Sequence, residues 1–237
     1  MGTEGSGRSD VSAAVVVGGG AVRAPIRAHD LVIAADSGLD VALVAGFVPT
    51  HLVGDLDSIT AAGAAWAEAH GVPIERHPAD KDLTDTALAL AHAVALGATS
   101  IDLYGGTGVD RLDHLLGTLA ALGDRGLAVL HTLTAHLDDT TVHVLHPGRS
   151  VDLALDEGAV FSLVALHGGC DGVDVDGGRW PLHQAHLSAG STRGISNEST
   201  GAPVRASVMT GVLTVVVPAT TQAEPDPRRP TRPQEDS

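Results

Sequence analysis

Cysteine, lysine and aromatic side chains are almost missing from this 237-residue sequence. Cys170 is the only cysteine, which excludes an internal disulfide and a zinc site built from cysteines. A reducing compartment, the cytoplasm, is therefore the expected location. Lys81 is the only lysine, whereas the sequence has thirteen arginines. Lysine at position 81 therefore either has a function that arginine cannot serve or is present by chance.

Long apolar runs are missing as well. No run reaches the roughly 18–20 residues of a membrane-spanning helix, and we expect no membrane partner. The polar segment from Met1 to Asp10 lacks the basic start and apolar stretch of a signal peptide. Residues 1–11 and 219–237 are expected to be disordered, since both are polar and the second is rich in proline and charge.

Positive charge is scarce. Lysine and arginine total 14 against 29 acidic residues, which gives a formal net charge of −15. Nucleic-acid binders normally carry the opposite sign, and an aromatic content of 2% leaves few rings for stacking bases. We therefore expect no nucleic-acid partner. A protein this acidic can still bind a polyphosphate if a cation such as Mg²⁺ lies between carboxylates and phosphates.

Short apolar runs alternate with alanine- and leucine-rich stretches between residues 12 and 146. The predicted strands are Ala13–Val17, Leu31–Ala35, Leu52–Val53, Ile101–Tyr104, Ala128–Leu133 and Thr141–Leu145. The predicted helices are Leu39–Ala45, Ala61–His70, Thr84–Leu96 and His114–Gly123. This alternation predicts an α/β fold, in which a mostly parallel sheet carries helices on both faces.

The pattern changes at Pro147-Gly148. Residues 147–218 contain short β-like runs separated by turns and no convincing helix. Such a pattern predicts a small all-β sandwich or barrel. The expected organisation is thus an α/β domain over residues 12–146 and a β domain over residues 147–218.

Four aspartates lie near predicted strand ends. Asp36 follows the second predicted strand, Asp55 and Asp57 follow the third, and Asp85 begins the third predicted helix. Because the carboxyl ends of parallel strands meet at one edge of a sheet, the four carboxylates can converge. Asp55 and Asp57 are two residues apart, so in an extended segment they point the same way and can hold one hard cation. A single Asp-x-Asp is also common in turns, and the other two acids favour the metal site.

Two further segments have features of phosphate sites. In Asp-Lys-Asp-Leu-Thr-Asp, Lys81 precedes a helix start that Thr84 can cap, and the amino end of a helix attracts anions. In the loop that begins at Gly105-Gly106, backbone N–H groups and Arg111 can bind phosphate oxygens. A plain helix cap and a flexible surface loop are the alternatives. Gly18-Gly19-Gly20 does not complete a dinucleotide-binding fingerprint.

The second half carries two loops of unusual composition. Trp180 lies in Gly-Gly-Arg-Trp-Pro-Leu, where the neighbouring proline and glycines favour an exposed turn. Ser196 and Asn197 belong to the polar loop Gly-Ile-Ser-Asn-Glu. Since tryptophan is more often buried than exposed, packing of Trp180 in the sandwich core is the alternative.

Taken in order, these motifs resemble those of thiamine pyrophosphokinases: Ala-Asp-Ser-Gly, Gly-Asp-Leu-Asp-Ser, Asp-Lys-Asp-Leu-Thr-Asp, Arg-Leu-Asp-His, Trp-Pro-Leu and Gly-Ile-Ser-Asn-Glu. Any one of these motifs also occurs in unrelated proteins, but all six in this order between residues 13 and 217 are specific to the family. The sequence departs from the family pattern at Ser37, commonly glycine, and at Val109-Asp110, which lengthen the loop before Arg111.

The resemblance implies an ATP- and Mg²⁺-binding catalytic domain joined to a thiamine-binding sandwich, in a homodimer with shared active sites. The implied reaction converts thiamine and ATP to thiamine diphosphate and AMP. The implied catalytic residues are Asp36, Asp55, Asp57, Asp85 and Asp113, of which the first four would bind the metal. The implied ATP-binding residues are Lys81, Thr84, Gly105, Gly106, Arg111 and His114, and those for thiamine are Trp180, Ser196 and Asn197.

Two alternatives to this function stay open. One is pyrophosphoryl transfer to another alcohol, such as a hydroxymethylpterin, by an enzyme with a similar aspartate motif. The other is a thiamine- or nucleotide-binding module without catalysis. Clustered carboxylates repel one another and would give a pure binding protein no advantage, which argues against the second alternative.

Overall fold

The computed structural model describes residues 10–78, 82–106 and 111–219. Within these residues the strands are β1 Ser12–Val16, β2 Leu31–Ala35, β3 His51–Gly54, β4 Ile74–Arg76, β5 Ser100–Gly105, β6 Thr132–Leu137, β7 Thr140–Leu145, β8 Ser150–Leu153, β9 Val160–Val164, β10 Cys170–Asp176, β11 Leu182–Leu187, β12 Asn197–Glu198, β13 Val204–Ser207 and β14 Leu213–Val217. The α-helices are α1 Gly38–Ala45, α2 Ala61–Ala69, α3 Asp85–Ala95 and α4 Leu112–Ala121. Among these described helices, none is long and apolar enough to cross a membrane.

The larger sheet has ten strands in the order β12-β9-β14-β7-β6-β5-β1-β2-β3-β4. The strands from β6 to β4 pair in parallel, whereas β7, β14, β9 and β12 are added in antiparallel pairs. The chain moves outward from β1 in one direction to β4 and then returns to place β5 on its other side. Loops at such a switch point leave in opposite directions and open a crevice at the carboxyl ends of β1 and β5.

Helices cover both faces of the parallel strands. Ala13 and Val15 of β1 face a cluster completed by α3 and α4, to which Leu90 of α3 contributes. The alternate residues Ala14 and Val16 face the other side, where α1 packs. Successive residues of β1 therefore point to opposite faces of the sheet, and both faces are buried. The predicted α/β fold is confirmed.

A smaller sheet of four strands, in the order β11-β10-β13-β8, forms the second layer of a sandwich. Its inward residues, among them Val173 and Val204, pack against Phe161, Leu213 and Val215 of the larger sheet. The predicted all-β second part is confirmed. A domain boundary between residues 146 and 147 stays a prediction, since β9, β12 and β14 continue the same sheet that β1 to β7 begin.

The predicted strand Ala128–Leu133 is wrong in its position. Residues Arg125–Val129 form a 3-10 turn, which Asp124 caps by accepting a hydrogen bond from the Gly126 N–H at 2.7 Å. The strand follows at Thr132. Apolar residues alone do not distinguish a buried turn from a buried strand. Asp124, a residue type that often caps the start of a helical turn, was the sequence signal that the prediction missed.

Two other differences concern the edges of the fold. The short edge strand β4 was not predicted, because its sequence Ile-Glu-Arg contains one apolar residue. Most of residues 1–11 and 219–237, where disorder was expected, lie outside the described part of the chain. Val11 is described, and it lies beside Thr99, whose N–H donates to the Val11 carbonyl at 2.8 Å.

Candidate active site

Three loops meet at the carboxyl edge of the parallel strands, and glycines let their backbones touch. A Cβ on Gly20 would lie 2.6 Å from the Cα of Gly106. A Cβ on Gly18 would lie 2.3 Å from the hydroxyl oxygen of Ser37, and a Cβ on Gly38 would lie 2.1 Å from a carbonyl oxygen of β1. Such distances leave no room for a side chain. The loops after β1, β2 and β5 are therefore packed closely around one crevice.

The glycines at positions 18–20 were missed as site residues by sequence reasoning. Gly18 and Gly19 line the crevice, and Gly20 contacts the loop after β5. They match no known fingerprint. The available signal was their position directly after an apolar strand that lies in the middle of a parallel sheet.

A cleft of about 830 Å³ opens between these loops. Its walls include the starts of α3 and α4 as well as the ends of β1 and β2. It brings together most of the predicted metal- and ATP-binding residues, namely Asp36, Asp57, Thr84, Asp85, Gly106, Arg111, Asp113 and His114. Gly105 ends β5 beside the cleft, where a Cβ would lie 2.5 Å from Val17. Lys81 lies outside the described residues.

Three carboxylates converge beside the cleft, which two of them, Asp36 and Asp57, line. Asp36, Asp55 and Asp57 each offer an oxygen, and these oxygens lie within 4.8 Å of one another. Asp55 also accepts a hydrogen bond from the Asp57 N–H at 3.1 Å. One oxygen of Asp36 accepts from the Ser58 hydroxyl, while the other is buried and has no hydrogen-bond partner among the described residues. An orphaned carboxylate oxygen beside two further carboxylates fits a hard divalent cation such as Mg²⁺.

Asp85 approaches the same place from α3. Gly54, the last residue of β3, has a φ of 146°, and a Cβ there would lie 3.0 Å from a carboxylate oxygen of Asp85 and 3.1 Å from the Cβ of Asp36. Glycine at this position thus lets both acids close in on the backbone of β3. The hydroxyl of Thr84 accepts from the Ala87 N–H at 3.2 Å and caps α3. The side chain of Thr84 therefore fixes the start of the helix that carries Asp85.

Two residues of this region have a left-handed backbone. Asp36 has a φ of 48° and Leu56 a φ of 69°, a conformation that costs of order 1 kcal/mol or more for a residue other than glycine. Leu56 is held by apolar packing against a cluster that contains Leu39 and Leu52. This packing offsets the strain. The expected extended conformation of the Asp-x-Asp segment is wrong, since Leu56 turns the chain, yet the carboxylate oxygens of Asp55 and Asp57 still lie within 4.8 Å of each other.

The carboxylates repel one another. The pKa of the exposed Asp57 is raised, mainly by the negative charge of Asp55, then by its hydrogen bond with Asp55 and more weakly by Asp36 and Asp85. Each of these effects favours the neutral form of Asp57. A bound cation would reverse the effect by favouring the ionised form.

Arg111 and Asp113 form a forked pair at the mouth of the cleft. The Nε and Nη2 atoms of Arg111 donate to the two oxygens of Asp113 at 3.0 and 2.8 Å. This hydrogen bond is the main reason that the pKa of Asp113 is lowered to about 2. Among the described residues that line the cleft, Arg111 is the only arginine or lysine. The pair therefore fixes the orientation of a guanidinium in the cleft that Asp36 and Asp57 also line.

The residues predicted for thiamine lie in another part of the chain. Trp180 is 52% exposed, so the alternative that it packs in the sandwich core is wrong. The guanidinium of Arg179 lies 4.8 Å from the ring centroid. Buried Asn197 fixes the main chain of Trp180, accepting from its N–H at 3.1 Å and donating to its carbonyl at 2.9 Å. Ser196 is exposed, with a φ of 60°, and its N–H donates to the Ser162 hydroxyl at 3.0 Å.

Within one chain, the Trp180 loop and the acid cluster are far apart. Asn197 begins β12, at one end of the ten-stranded order, and Asp36 follows β2, near the other end. Seven strand spacings separate β12 from β2, which corresponds to roughly 30–35 Å at about 4.8 Å per strand. Among the described residues, the structure therefore brings together the predicted metal and ATP residues, and separately the predicted thiamine residues.

Comparison with known proteins agrees with this two-part arrangement. Residues 22–130 match the family profile described as thiamin pyrophosphokinase, catalytic domain, and residues 142–213 match the one described as thiamin pyrophosphokinase, vitamin B1 binding domain. A thiamine pyrophosphokinase of Bacillus subtilis (strain 168) is 32% identical over 172 residues, which are 72% of this chain and 78% of that protein. The chain belongs to the thiamine pyrophosphokinase family.

Solved structures of this family share the fold. The crystal structure of thiamine pyrophosphokinase from Bacillus subtilis superposes with a TM-score of 0.71 at 26% identity, covering 88% of this chain and 99% of that one. The thiamin pyrophosphokinase from Geobacillus thermodenitrificans gives a TM-score of 0.68 at 26% identity, covering 89% of this chain and 98% of that one. The match therefore includes both sheets of the structure.

The repulsion at the acid cluster leads to a prediction for Asp57→Asn. A carboxyl whose pKa is raised by folding gives up stability as the pH rises through that pKa, so at pH 7 the penalty is fully present. We expect Asp57→Asn to melt at a higher temperature than the native protein in EDTA, and to gain less from added Mg²⁺. Thermal melts at pH 7 with EDTA or Mg²⁺ measure both effects.

Asp152→Asn is the matched control for this experiment. Asp152 is an exposed carboxylate in the smaller sheet, paired with Arg205 at 2.8 Å. Its replacement should leave the gain from Mg²⁺ unchanged. Equal gains from Mg²⁺ in the native protein and in Asp57→Asn would show that the cluster is an acidic turn without a metal.

Proposed function

We propose that this protein is a Mg²⁺-dependent thiamine pyrophosphokinase that transfers the pyrophosphoryl group of ATP to the hydroxyl of thiamine, giving thiamine diphosphate and AMP. The observation that carries the proposal is the cluster of Asp36, Asp55 and Asp57, with one orphaned buried oxygen, beside a cleft between glycine loops. We also propose that it works in the cytoplasm. The buried thiol of Cys170, without a second cysteine, gives no reason for an oxidising compartment.

ATP is expected to bind in this cleft, with its phosphates over the glycine loops. Gly18, Gly19 and Gly106 present backbone at this part of the cleft wall, and the close approach of Gly20 to Gly106 leaves no room for a side chain between the two loops. Arg111 supplies a fork for phosphate oxygens, and His114 in the first turn of α4 lies beside it. Lys81 is proposed to add a second positive charge.

Asp36, Asp55, Asp57 and Asp85 are proposed to hold the metal. Mg²⁺ bound there would neutralise charge on the triphosphate during transfer. The hydroxyl oxygen of thiamine forms a bond to the β-phosphorus of ATP, the bond from that phosphorus to the oxygen of the α-phosphate breaks, and AMP leaves. Positioning and charge neutralisation supply most of the catalysis in such transfers.

Asp113 has two possible roles in this reaction. One is to receive the proton of the thiamine hydroxyl, and the other is to orient that hydroxyl. Because its pKa is held at about 2 by Arg111, Asp113 is a weak base. We therefore propose that Asp113 orients Arg111, and that the proton passes to a phosphate oxygen or to water.

Thiamine is proposed to bind at Trp180 and Ser196 of a partner subunit in a homodimer. In a single chain these residues lie across most of the ten-stranded sheet from the acid cluster, a distance of roughly 30–35 Å by strand spacing. A thiamine held at Trp180 could not bring its hydroxyl to ATP over that distance. A two-fold dimer would place the Trp180 loop of one subunit at the cleft of the other.

The function is tested by incubating the pure protein with thiamine, ATP and Mg²⁺. We expect AMP and thiamine diphosphate to form in equal amounts, and EDTA or Asp55→Asn to remove most of the activity. Repeating the assay with hydroxymethylpterin in place of thiamine tests the alternative that the protein acts on another alcohol. Binding of thiamine by calorimetry without any AMP would support a binding module instead.

Trp180→Ala is predicted to weaken thiamine binding selectively. A cation over an indole face gains about 0.5–2 kcal/mol, and 1.4 kcal/mol corresponds to about tenfold in affinity. We expect the KM for thiamine to rise about tenfold, with the KM for ATP nearly unchanged. Trp66→Phe is the control. Trp66 belongs to α2 and packs against the apolar cluster that contains Leu39 and Leu52, so its replacement should change stability alone. Equal increases in both KM values would mean that Trp180 has a structural role.

Sharing of the site between subunits is predicted to be visible by mixing two inactive variants. Trp180→Arg places a charge against cationic thiamine, and Asp57→Asn disables the metal site. Random exchange puts half of the subunits into heterodimers with one intact site each, so we expect recovery to about a quarter of native activity. Heterodimers that are demonstrably formed yet inactive would mean that each subunit builds its site alone.

A further inference from the structure

Asp40, in the first turn of α1, is bound to the loop that presents the metal-binding acids. We propose that Asp40 is a positioning residue for this metal loop, residues 55–59, and sets the affinity of the site for Mg²⁺. The inference rests on the proposed function of the acid cluster. Asp40 itself is not among the residues that line the cleft, and it does not belong to the group of three converging carboxylates.

The contact is a two-point clamp on Thr60. The Thr60 N–H donates to one carboxylate oxygen of Asp40 at 2.9 Å, and the Thr60 hydroxyl donates to the other at 2.5 Å. The same hydroxyl accepts from the Gly63 N–H at 3.0 Å and so caps α2. One side chain of α1 therefore fixes both the end of the metal loop and the beginning of α2.

Close packing around the clamp leaves little freedom for another arrangement. A Cβ on Gly63 would lie 2.5 Å from a carboxylate oxygen of Asp40 and 3.1 Å from Ile59. Only glycine at this position lets the first turn of α2 approach the carboxylate so closely. The first turns of α1 and α2 are thus in direct contact through Asp40.

Among the described residues, few hydrogen bonds hold the metal loop in place: the Asp57 N–H donates to Asp55 within the loop, and the Ser58 hydroxyl donates to Asp36. Residues 55–59 form neither helix nor strand, and Leu56 within them has a φ of 69°. One end of the loop is fixed where Gly54 ends β3. The other end is fixed at Thr60 by Asp40.

The clamp also links the two halves of the metal site. Asp36 lies two residues before the start of α1, and Asp40 is in the first turn of that helix. Asp55 and Asp57 lie in the loop that Thr60 closes. Through α1, Asp40 therefore holds the loop carrying Asp55 and Asp57 at a fixed distance from Asp36. Because Asp36, Asp55 and Asp57 repel one another, loss of the anchor would let the loop move away.

Asp40→Ala tests the inference in the full-length protein. Supporting residues behind metal ligands typically change metal affinity by about 10–100-fold. We expect the Mg²⁺ concentration for half-maximal activity, and the dissociation constant for Mg²⁺ measured by calorimetry without ATP, to rise about tenfold. The kcat at saturating Mg²⁺ and the KM for thiamine should stay within about twofold, because Asp40 does not touch the substrates.

Three variants define the interpretation. Asp40→Asn keeps one acceptor oxygen and should fall between the native protein and Asp40→Ala. Thr60→Val removes the hydroxyl hydrogen bond to Asp40 and leaves the backbone one, and its effect on Mg²⁺ affinity should not add to that of Asp40→Ala in the double variant. Asp152→Asn, which removes an exposed paired carboxylate far from the cleft, should leave Mg²⁺ affinity unchanged.

A purely structural role for Asp40 makes a different prediction. The folded Asp40→Ala protein would then melt at a lower temperature and bind Mg²⁺ with native affinity, which overturns the inference. If Asp40→Ala does not fold, the same decision is made with Asp40→Asn and Thr60→Val. A native protein that binds no Mg²⁺ would instead overturn the proposed function, and this is seen without any variant.

Discussion

Mutual repulsion among carboxylates at one edge of the sheet is the constraint on which the rest of the site depends. Asp36 and Asp57 can approach only because strands β2 and β3 are parallel neighbours and end together. Gly54 removes the side chain that would separate Asp36 from Asp85. Apolar packing of Leu56 and the contact from Asp40 hold a loop that its charges would otherwise push outward. The clustered charges and the left-handed backbone of Asp36 and Leu56 thus cost stability locally, at the place that we propose binds a cation.

The convergence of the acids could be predicted from the sequence, whereas the way they are held could not. Parallel strands place their following residues at one edge, so Asp36, Asp55 and Asp57 follow from the αβ alternation alone. The contact of Asp40 with Thr60 joins residues twenty positions apart and depends on how α1 and α2 pack. The predicted strand at residues 128–133 was wrong for a related reason, because its apolar residues fit a buried turn as well as a strand.

The continuous sheet has a consequence for the way the two substrates meet. The strands β9, β12 and β14 are hydrogen-bonded into the same sheet as β1 to β7, so the Trp180 loop cannot swing toward the acids as a separate hinged domain would. Movement of that size would break the ladder between β14 and β7, which pairs five residues on each strand. If thiamine binds at Trp180 and ATP in the cleft, as proposed, the two substrates would meet through a second chain rather than through a conformational change.

The scarcity of positive charge shapes the remaining part of the mechanism. Within the described cleft, Arg111 is the only arginine or lysine, and Asp113 already neutralises it. A free triphosphate would meet a negative field from the acid cluster and from the chain's net charge of −15. In the proposed mechanism, Mg²⁺ bound to ATP would remove part of that repulsion before contact is made. As the phosphates arrive, they can accept hydrogen bonds from the N–H groups of Arg111 that Asp113 does not use, so the pair keeps the guanidinium oriented while the substrate binds.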